Sequence, residues 1–389
     1  MCRIVKLKKA VLFTLIFTVL MFCTAVSAGA DDSINSDYED IYNEVYGIAG
    51  ADTLTDALPN KVKRELKKAG VTAPRWEELN SLSFSEIMEN IISEAGEQSV
   101  TPLNSLVKIT GILIIAAFIN SIKTTVASGA LTGVLDCVSV LAVSIVLIRP
   151  LTDVIEYSST VVKLSADFML VFVPVMAAVM TAMGQTVQSA GNYTAVMGAG
   201  TAVSQVSEHI LIPLLNSFLG ISVVSGISEK VSLDGFCELI SRIIKWVLTF
   251  VMSVFTAVLT MQSIVSVSAD SAGTRAARFA ISSFVPLVGG ALSEAYQTVR
   301  GCMGMLKSGV GVFAILATAA IYLPAVISCV MWLISLNIAT ALAGVFDMGR
   351  ITALLRSIGM VINVLIAVLL CCMMIFIISS AVMLMVGGS

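Results

Sequence analysis

The chain has 389 residues, of which 57% are hydrophobic and 13% are charged, and its formal net charge is −3. Soluble domains average about 25% charged residues, so this chain cannot cover a water-facing surface of its own size. Mean hydropathy is +0.95. The composition therefore excludes a soluble enzyme, a secreted disulfide scaffold and a nucleic-acid-binding domain as descriptions of the whole chain.

The first 30 residues have the pattern of a secretory signal peptide. Four basic residues precede an apolar stretch over 10–22, and small residues follow before the first acidic ones. This order predicts a signal peptide over 1–30 with cleavage near Ala28 or Ala30, the alternative being an uncleaved first anchor. In both cases we expect residues 31–102 on the extracytoplasmic side.

Residues 31–102 are acidic and patterned for helices. They hold 15 acidic and six basic residues, a net of −9. Apolar positions three and four apart predict a helix over 38–46, and a short basic helix over 61–69 is closed by Gly70. A capping box predicts a third helix from Ser83. We expect a small extracytoplasmic helical module, which either caps the rest of the protein or docks on a partner.

The remainder is dominated by apolar runs long enough, or nearly so, to cross roughly 30 Å of hydrocarbon. The runs are 103–122, 131–148, 243–267, 309–346 and 358–386. They predict an all-α, polytopic membrane bundle of six to eight spans, with separate crossings over 131–152 and 164–183. The distribution of Lys and Arg does not decide the topology of 279–356.

The membrane body contains an internal repeat. Phe-Val-Pro ends at Pro174 and again at Pro286, and Gln-Thr-Val begins at Gln185 and again at Gln297, so all six positions share an offset of 112. A further proline pair repeats at an offset of 111, namely Pro213 and Pro324. Chance similarity among Val, Ala, Ser and Leu is the alternative, which the scarcity of proline disfavours.

The repeat divides the body into three parts. Residues 103–162 hold the first two spans, 163–267 are copy one and 268–389 are copy two. Interrupted helices at matching positions are typical of transport pathways, so the repeated prolines are predicted helix breaks. The alternative is that each proline only bends an ordinary helix packed through small residues.

Ionisable residues at membrane depth are candidates for function, because burying a charge in lipid costs at least ~2.5–3.5 kcal/mol. Asp167, Glu208 and His209 are the candidates for a proton- or ion-coupled pathway. Gln185 and Gln297 are candidate buried polar residues. Structural pairing or an interfacial position is the alternative for the three ionisable groups, and interhelical hydrogen bonding for the amides.

Nothing in the sequence supports catalysis. The chain has a single histidine, no nucleophile elbow, no phosphate-cradling glycine loop and no paired cysteine motif. The eight cysteines are expected to be small apolar side chains rather than metal ligands or bridges. We therefore expect no enzyme activity, cofactor or metal, and no nucleic-acid partner.

The chain resembles the stage III sporulation protein AE family of endospore-forming bacteria. The resemblance covers the mature chain and rests on Leu58-Pro59 through Gly70, on Phe172-Val173-Pro174 with the Gly/Gln/Ser-rich stretch after it, and on the segment from Phe284 to Gly290. These motifs describe architecture, so no catalytic or binding position is carried over.

The resemblance implies a multi-pass subunit of a multiprotein channel that connects mother cell and forespore and is needed to activate the late forespore sigma factor. It implies a location in the mother-cell-derived membrane around the forespore. Implied partners are sibling membrane proteins of one sporulation operon, a secretion-type ATPase and a membrane insertase. Besides these, a homo-oligomer of the chain and the lipid bilayer itself are expected partners. The alternative function is a self-contained secondary transporter with Asp167, Glu208 and His209 in its pathway.

Overall fold

The computed structural model describes residues 36–75, 84–126, 129–206, 209, 212–227, 234–284 and 289–385. All its regular elements in these ranges are helices. They are α1 (Ser36–Ile48), α2 (Asp52–Asp56), α3 (Asn60–Lys68), α4 (Phe84–Val126), α5 (Gly129–Ala182), α6 (Thr186–Val206), α7 (Ile212–Ile227), α8 (Asp234–Phe284), α9 (Gly289–Val345) and α10 (Gly349–Met385). The predicted signal peptide over 1–30 lies outside the described residues.

Helices α1 and α3 coincide with the first two helices predicted from sequence, and each ends at a glycine. Gly50 and Gly70 have φ angles of 69° and 83°, which a residue with a side chain rarely adopts. At both ends two backbone hydrogen bonds close the last turn, as in Val71 N–H to Leu66 O at 2.9 Å. Local glycine chemistry therefore sets these helix boundaries.

The segment formed by α1, α2 and α3, called the leader here, packs on the membrane body. Helices α1 and α3 contact α9, and α2 contacts α5. Leu54 is fully buried, and Leu58 and Leu66 are nearly so, within one core that continues into the body. Arg75 lies over the Tyr46 ring at 5.5 Å. The leader is thus a folded cap on the body.

Helix α5 differs from the sequence prediction, because it runs for 54 residues without interruption. The expected crossings over 131–152 and 164–183 are parts of this one helix. The charged residues between them, Asp153, Glu156 and Lys163, occupy one exposed face, while Val154, Ile155 and Val161 fill the buried face. Their three-to-four-residue spacing fits a helix that is polar on one side, so nothing ends α5 there.

Five helices are long and apolar enough to cross a membrane within the described residues. Their apolar stretches are Gly96–Phe118, Cys137–Ala182, Cys237–Gln262, Val299–Val345 and Gly349–Leu384. Helices α5 and α9, with 54 and 57 residues, each measure roughly 80 Å at 1.5 Å per residue. They exceed the hydrocarbon thickness of about 30 Å more than twofold.

Helices α9 and α10 form the centre of the body and pack along most of their lengths. The turn between them contains Asp347, whose φ is 53°. Helices α4 and α5 pack on α9, and α5, α7 and α8 pack on α10. The largest side chains buried here include Phe313, Tyr322, Trp332 and Phe376.

The prolines predicted to break helices behave differently from one another. Pro174 and Pro324 lie inside α5 and α9, which continue through them. A proline removes one backbone donor, and neighbouring helices can compensate for that loss within a packed bundle. Pro213 is the second residue of α7, a first-turn position that proline tolerates. Pro286 lies outside the described residues.

Helix boundaries are not shared by the two sequence copies. Copy one contains the separate helices α6 and α7, whereas the matching stretch of copy two lies inside the continuous α9. The repeat therefore stays a prediction from sequence.

Candidate functional site

A tight turn between α5 and α6 places a polar side chain in the protein interior. Gly184 has a φ of 81°, and the Gln185 N–H donates to Met180 O at 2.9 Å, which closes α5 as in the leader helices. The Ser189 hydroxyl donates to Ala177 O at 2.9 Å and thereby ties the start of α6 to α5. The turn is thus rigidly held, and Gln185 projects from it.

Gln185 meets a buried lysine. The Lys307 ammonium donates to Gln185 Oε1 at 3.2 Å, across 122 residues of sequence. Lys307 is 4% exposed and Gln185 is 7% exposed. An ammonium group away from water is unfavourable unless it is hydrogen-bonded, so this contact joins the α5–α6 turn to α9 at an energetically sensitive point.

Further polar side chains continue from Gln185 along one face of α6. Gln188, Ser189 and Asn192 follow it at spacings of three, four and seven residues, and all are buried. Asn192 Nδ2 is buried without a hydrogen-bond partner among the described residues. We call Gln185, Gln188, Ser189, Asn192 and Lys307 the polar centre.

The polar centre offers ammonium, amide and hydroxyl groups, which hydrogen-bond and can hold an anionic or polar group. None of its members is a carboxylate, thiolate or imidazole, the usual ligands of divalent metals. Across the described part of the chain, no group of three or more His, Cys, Asp or Glu could hold a metal ion.

The residues predicted from sequence as a pathway are not brought together. Asp167 is exposed on α5, and His209 is exposed just after α6, with its Nδ1 3.3 Å from Gln205 O. Glu208 lies outside the described residues. Gln297 lies within α9, but its side chain is outside the description. Of the predicted residues, Gln185 alone is seen here in the polar centre.

Sequence reasoning missed Lys307, although a signal for it was present. The stretch from Ser308 to Val345 contains no Asp, Glu, Lys or Arg. Lys307 therefore stands at the edge of a long uncharged run, where an ionisable residue is a candidate for function by default. Its partner could not be found from local spacing, because Gln185 lies in the turn between α5 and α6, whereas Lys307 lies in α9.

Comparison with known proteins decides the family. The model of the stage III sporulation protein AE family matches residues 74–387, well over half of the chain. The chain belongs to this family. The stage III sporulation protein AE of Bacillus subtilis (strain 168) is 22% identical over 161 residues, an alignment that spans 41% of this chain and 40% of the relative. No solved structure matches the chain.

Family membership gives this protein a role in sporulation, and the five long apolar helices among the described residues are those of a membrane protein. The match begins at residue 74, after the leader helices, so it covers the membrane body including the polar centre.

Proposed function

We propose that this protein is an integral membrane subunit of a multiprotein transenvelope channel or transport complex in endospore formation. The complex would serve communication between mother cell and forespore and activation of the late forespore sigma factor. The observation that carries this proposal is family membership over residues 74–387. The absence of any recognisable catalytic motif in the sequence supports a subunit without enzyme activity of its own.

The proposed location is the mother-cell-derived membrane around the forespore, with the leader extracytoplasmic and with six to eight crossings in total. Proposed partners are sibling membrane proteins of the same operon, a secretion-type ATPase and a membrane insertase, besides further copies of the chain. The leader supports contact with partners on its outer side. Helix α3 buries Val62 and Leu66 against the body and leaves Arg64 and Lys67 exposed.

The alternative, a self-contained secondary transporter, draws its support from the polar centre rather than from the residues first proposed for it. The exposed positions of Asp167 and His209 give those residues no shared site among the described ones. A transporter would have to use Lys307 and the buried amides of α6 instead.

The proposal is tested in a spore-forming host in which the native gene carries an affinity tag. Wild-type protein is expected to co-purify with other membrane proteins of the operon, and R64E/K67E is expected to reduce both that co-purification and the yield of heat-resistant spores. The matched control, R64K/K67R, keeps the charge and should behave as wild type. Both variants replace exposed side chains, so melting temperature should not change.

Two results would contradict the proposal. One is normal spore formation in a strain that lacks the gene. The other is purification of the wild-type protein without any other membrane protein from cells that are sporulating.

A further inference from the structure

The exposed face of α5 changes character abruptly along its length. Up to Ile148 it is apolar, and from Arg149 to Asp167 it carries charged side chains. The apolar part consists of Val134, Val138, Leu141, Ile145 and Ile148, all exposed. The charged part, called the charged flank here, consists of Arg149, Asp153, Glu156, Lys163 and Asp167, also exposed. Both follow the same three-to-four-residue spacing, so they lie along one side of the helix.

Helix α8, in contrast, exposes apolar side chains. Only 6% of its most apolar 18-residue stretch is buried inside the protein, against 72% for α9. Trp246 and Phe250 are 68% and 58% exposed, and their rings stack at a centroid distance of 5.8 Å. We call the exposed residues Ile243, Trp246, Val247, Phe250, Val251 and Val254 the apolar flank.

Side-chain contacts fix the relative depth of these two flanks. Ser158 Oγ lies 3.8 Å from Cys329 Sγ, and Gln185 contacts Lys307, so α5 and α9 run antiparallel. A Cβ on Gly311 would lie 3.3 Å from Leu384 Cβ, so α9 and α10 also run antiparallel from the turn that joins them.

The depth of α8 relative to α5 follows from its contact with α10. Cys371 Sγ lies 3.9 Å from Leu248 O. Because Gly311 pairs with Leu384, counting along the two antiparallel helices finds the α10 residue level with Cys329. It lies about five positions before Cys371, or roughly 8 Å along the helix. Leu248 and Ser158 therefore lie at nearly the same depth, each near the middle of its flank.

The body thus has two unlike sides at one depth. Helix α10 packs against both α5 and α8 and separates them. Exposed aromatic and branched apolar side chains on α8 suit hydrocarbon. Each charge on α5 would cost at least ~2.5–3.5 kcal/mol there. Lipid cannot surround both sides of the body at this depth.

We propose that the charged flank of α5 lines a water-filled passage at membrane depth, while the apolar flank of α8 faces lipid. The flank combines two basic and three acidic residues, so the solutes it suits are small hydrated molecules rather than ions of one sign. The inference rests on the proposed function, because other subunits or copies of the chain must supply the remaining wall.

Spin labels at four positions test the proposal on the full-length protein in its assembled complex, reconstituted in lipid. The labelled variants are E156C and K163C on the charged flank, and F250C and V254C on the apolar flank, each in a background with the native cysteines replaced by alanine. Collision rates are measured with water-soluble nickel chelate and with oxygen, which concentrates in hydrocarbon.

The charged-flank labels are expected to collide at least several-fold more often with nickel chelate, relative to oxygen, than the apolar-flank labels. Charged-flank labels that favour oxygen, or that neither reagent reaches because a partner protein covers them, would overturn the proposal. Nickel access at F250C and V254C would also overturn it, because this part of the body would then lie outside the membrane.

Failure of this inference can be told from failure of the proposed function. Each labelled variant is first purified with its partners. Intact co-purification together with the contrary collision pattern refutes the water-filled passage alone, whereas loss of every partner from the wild-type protein refutes the proposed function.

Discussion

A contact between α9 and α10 supplies a sharp prediction, the effect of Gly311→Ala. A Cβ on Gly311 would lie 3.3 Å from Leu384 Cβ and 3.4 Å from Leu384 Cγ, and closer still to Leu384 Cδ1. Overpacking of this kind costs about 1–3 kcal/mol, and alanine returns up to about 1 kcal/mol through its better helix propensity. We expect a net loss of stability of up to about 2 kcal/mol.

Gly344→Ala is the matched control, because the residue lies in the same helix and a Cβ there meets nothing within 4 Å. It should gain about 0.5–1 kcal/mol through helix propensity alone. Both variants are unfolded thermally in detergent with a thiol-reactive dye, which detects the buried Cys302, Cys329 and Cys372 as they become accessible.

The melting temperature should fall for G311A and rise for G344A. Adding Leu384→Ala should offset part of the G311A penalty, with a coupling energy of about 1 kcal/mol or more in a double-mutant cycle. Shifts of equal sign in the two glycine variants, or additivity of G311A and L384A, would refute the register assigned to α9 and α10.

Three further predictions concern the turn, the polar centre and the leader. Asp347→Gly should raise the melting temperature by relieving a φ of 53°, a gain of about 0.5–1 kcal/mol, while Asp347→Val should lower it. Gln185→Leu should cost about 1–3 kcal/mol by leaving Lys307 without its 3.2 Å acceptor, and Gln185→Glu should retain stability; equal melting temperatures for the two would contradict this contact. Burial, followed by the nearby Asp52 carboxylate, raises the pKa of Tyr46 from 10.0 to about 12. Its stabilising effect is therefore complete below pH 10 and lost between pH 10 and 12, where the unfolded state ionises first. Hydrogen exchange in the leader should accelerate over that range less in Tyr46→Phe than in wild type, and identical pH profiles would exclude this role for Tyr46.

Local rules predicted the local parts of the fold. The all-helical architecture follows from the apolar runs, and the family assignment is confirmed by the match over residues 74–387. The ends of α1 and α3 follow from glycines that adopt positive φ, an effect that depends on a few adjacent residues. Such features need no knowledge of distant contacts.

Features that depend on tertiary packing escaped prediction. Asp153, Glu156 and Lys163 were predicted to lie between two separate spans, because their apolar partners on the buried side are recognised only once α9 and α10 cover that side. The continuity of α5 through Pro174 and of α9 through Pro324 has the same origin. Within a packed bundle, neighbouring helices can compensate for the backbone hydrogen bond that each proline removes.

Of the five residues in the polar centre, only Gln185 was predicted, for the same reason. Gln185 stood out within the repeat, but its partner Lys307 is 122 residues away, and a contact of that range leaves no trace in local spacing. Asp167 was selected as an ionisable residue within an apolar stretch, and the structure places it on the exposed charged flank. Side-chain direction, rather than sequence position, decided that outcome.

The native mass of the protein, purified in mild detergent from sporulating cells, tests the central claim most directly. The account predicts a particle well above the 41.0 kDa chain that contains other membrane proteins in a fixed ratio. A particle made only of this chain, from cells that complete sporulation normally, would contradict it.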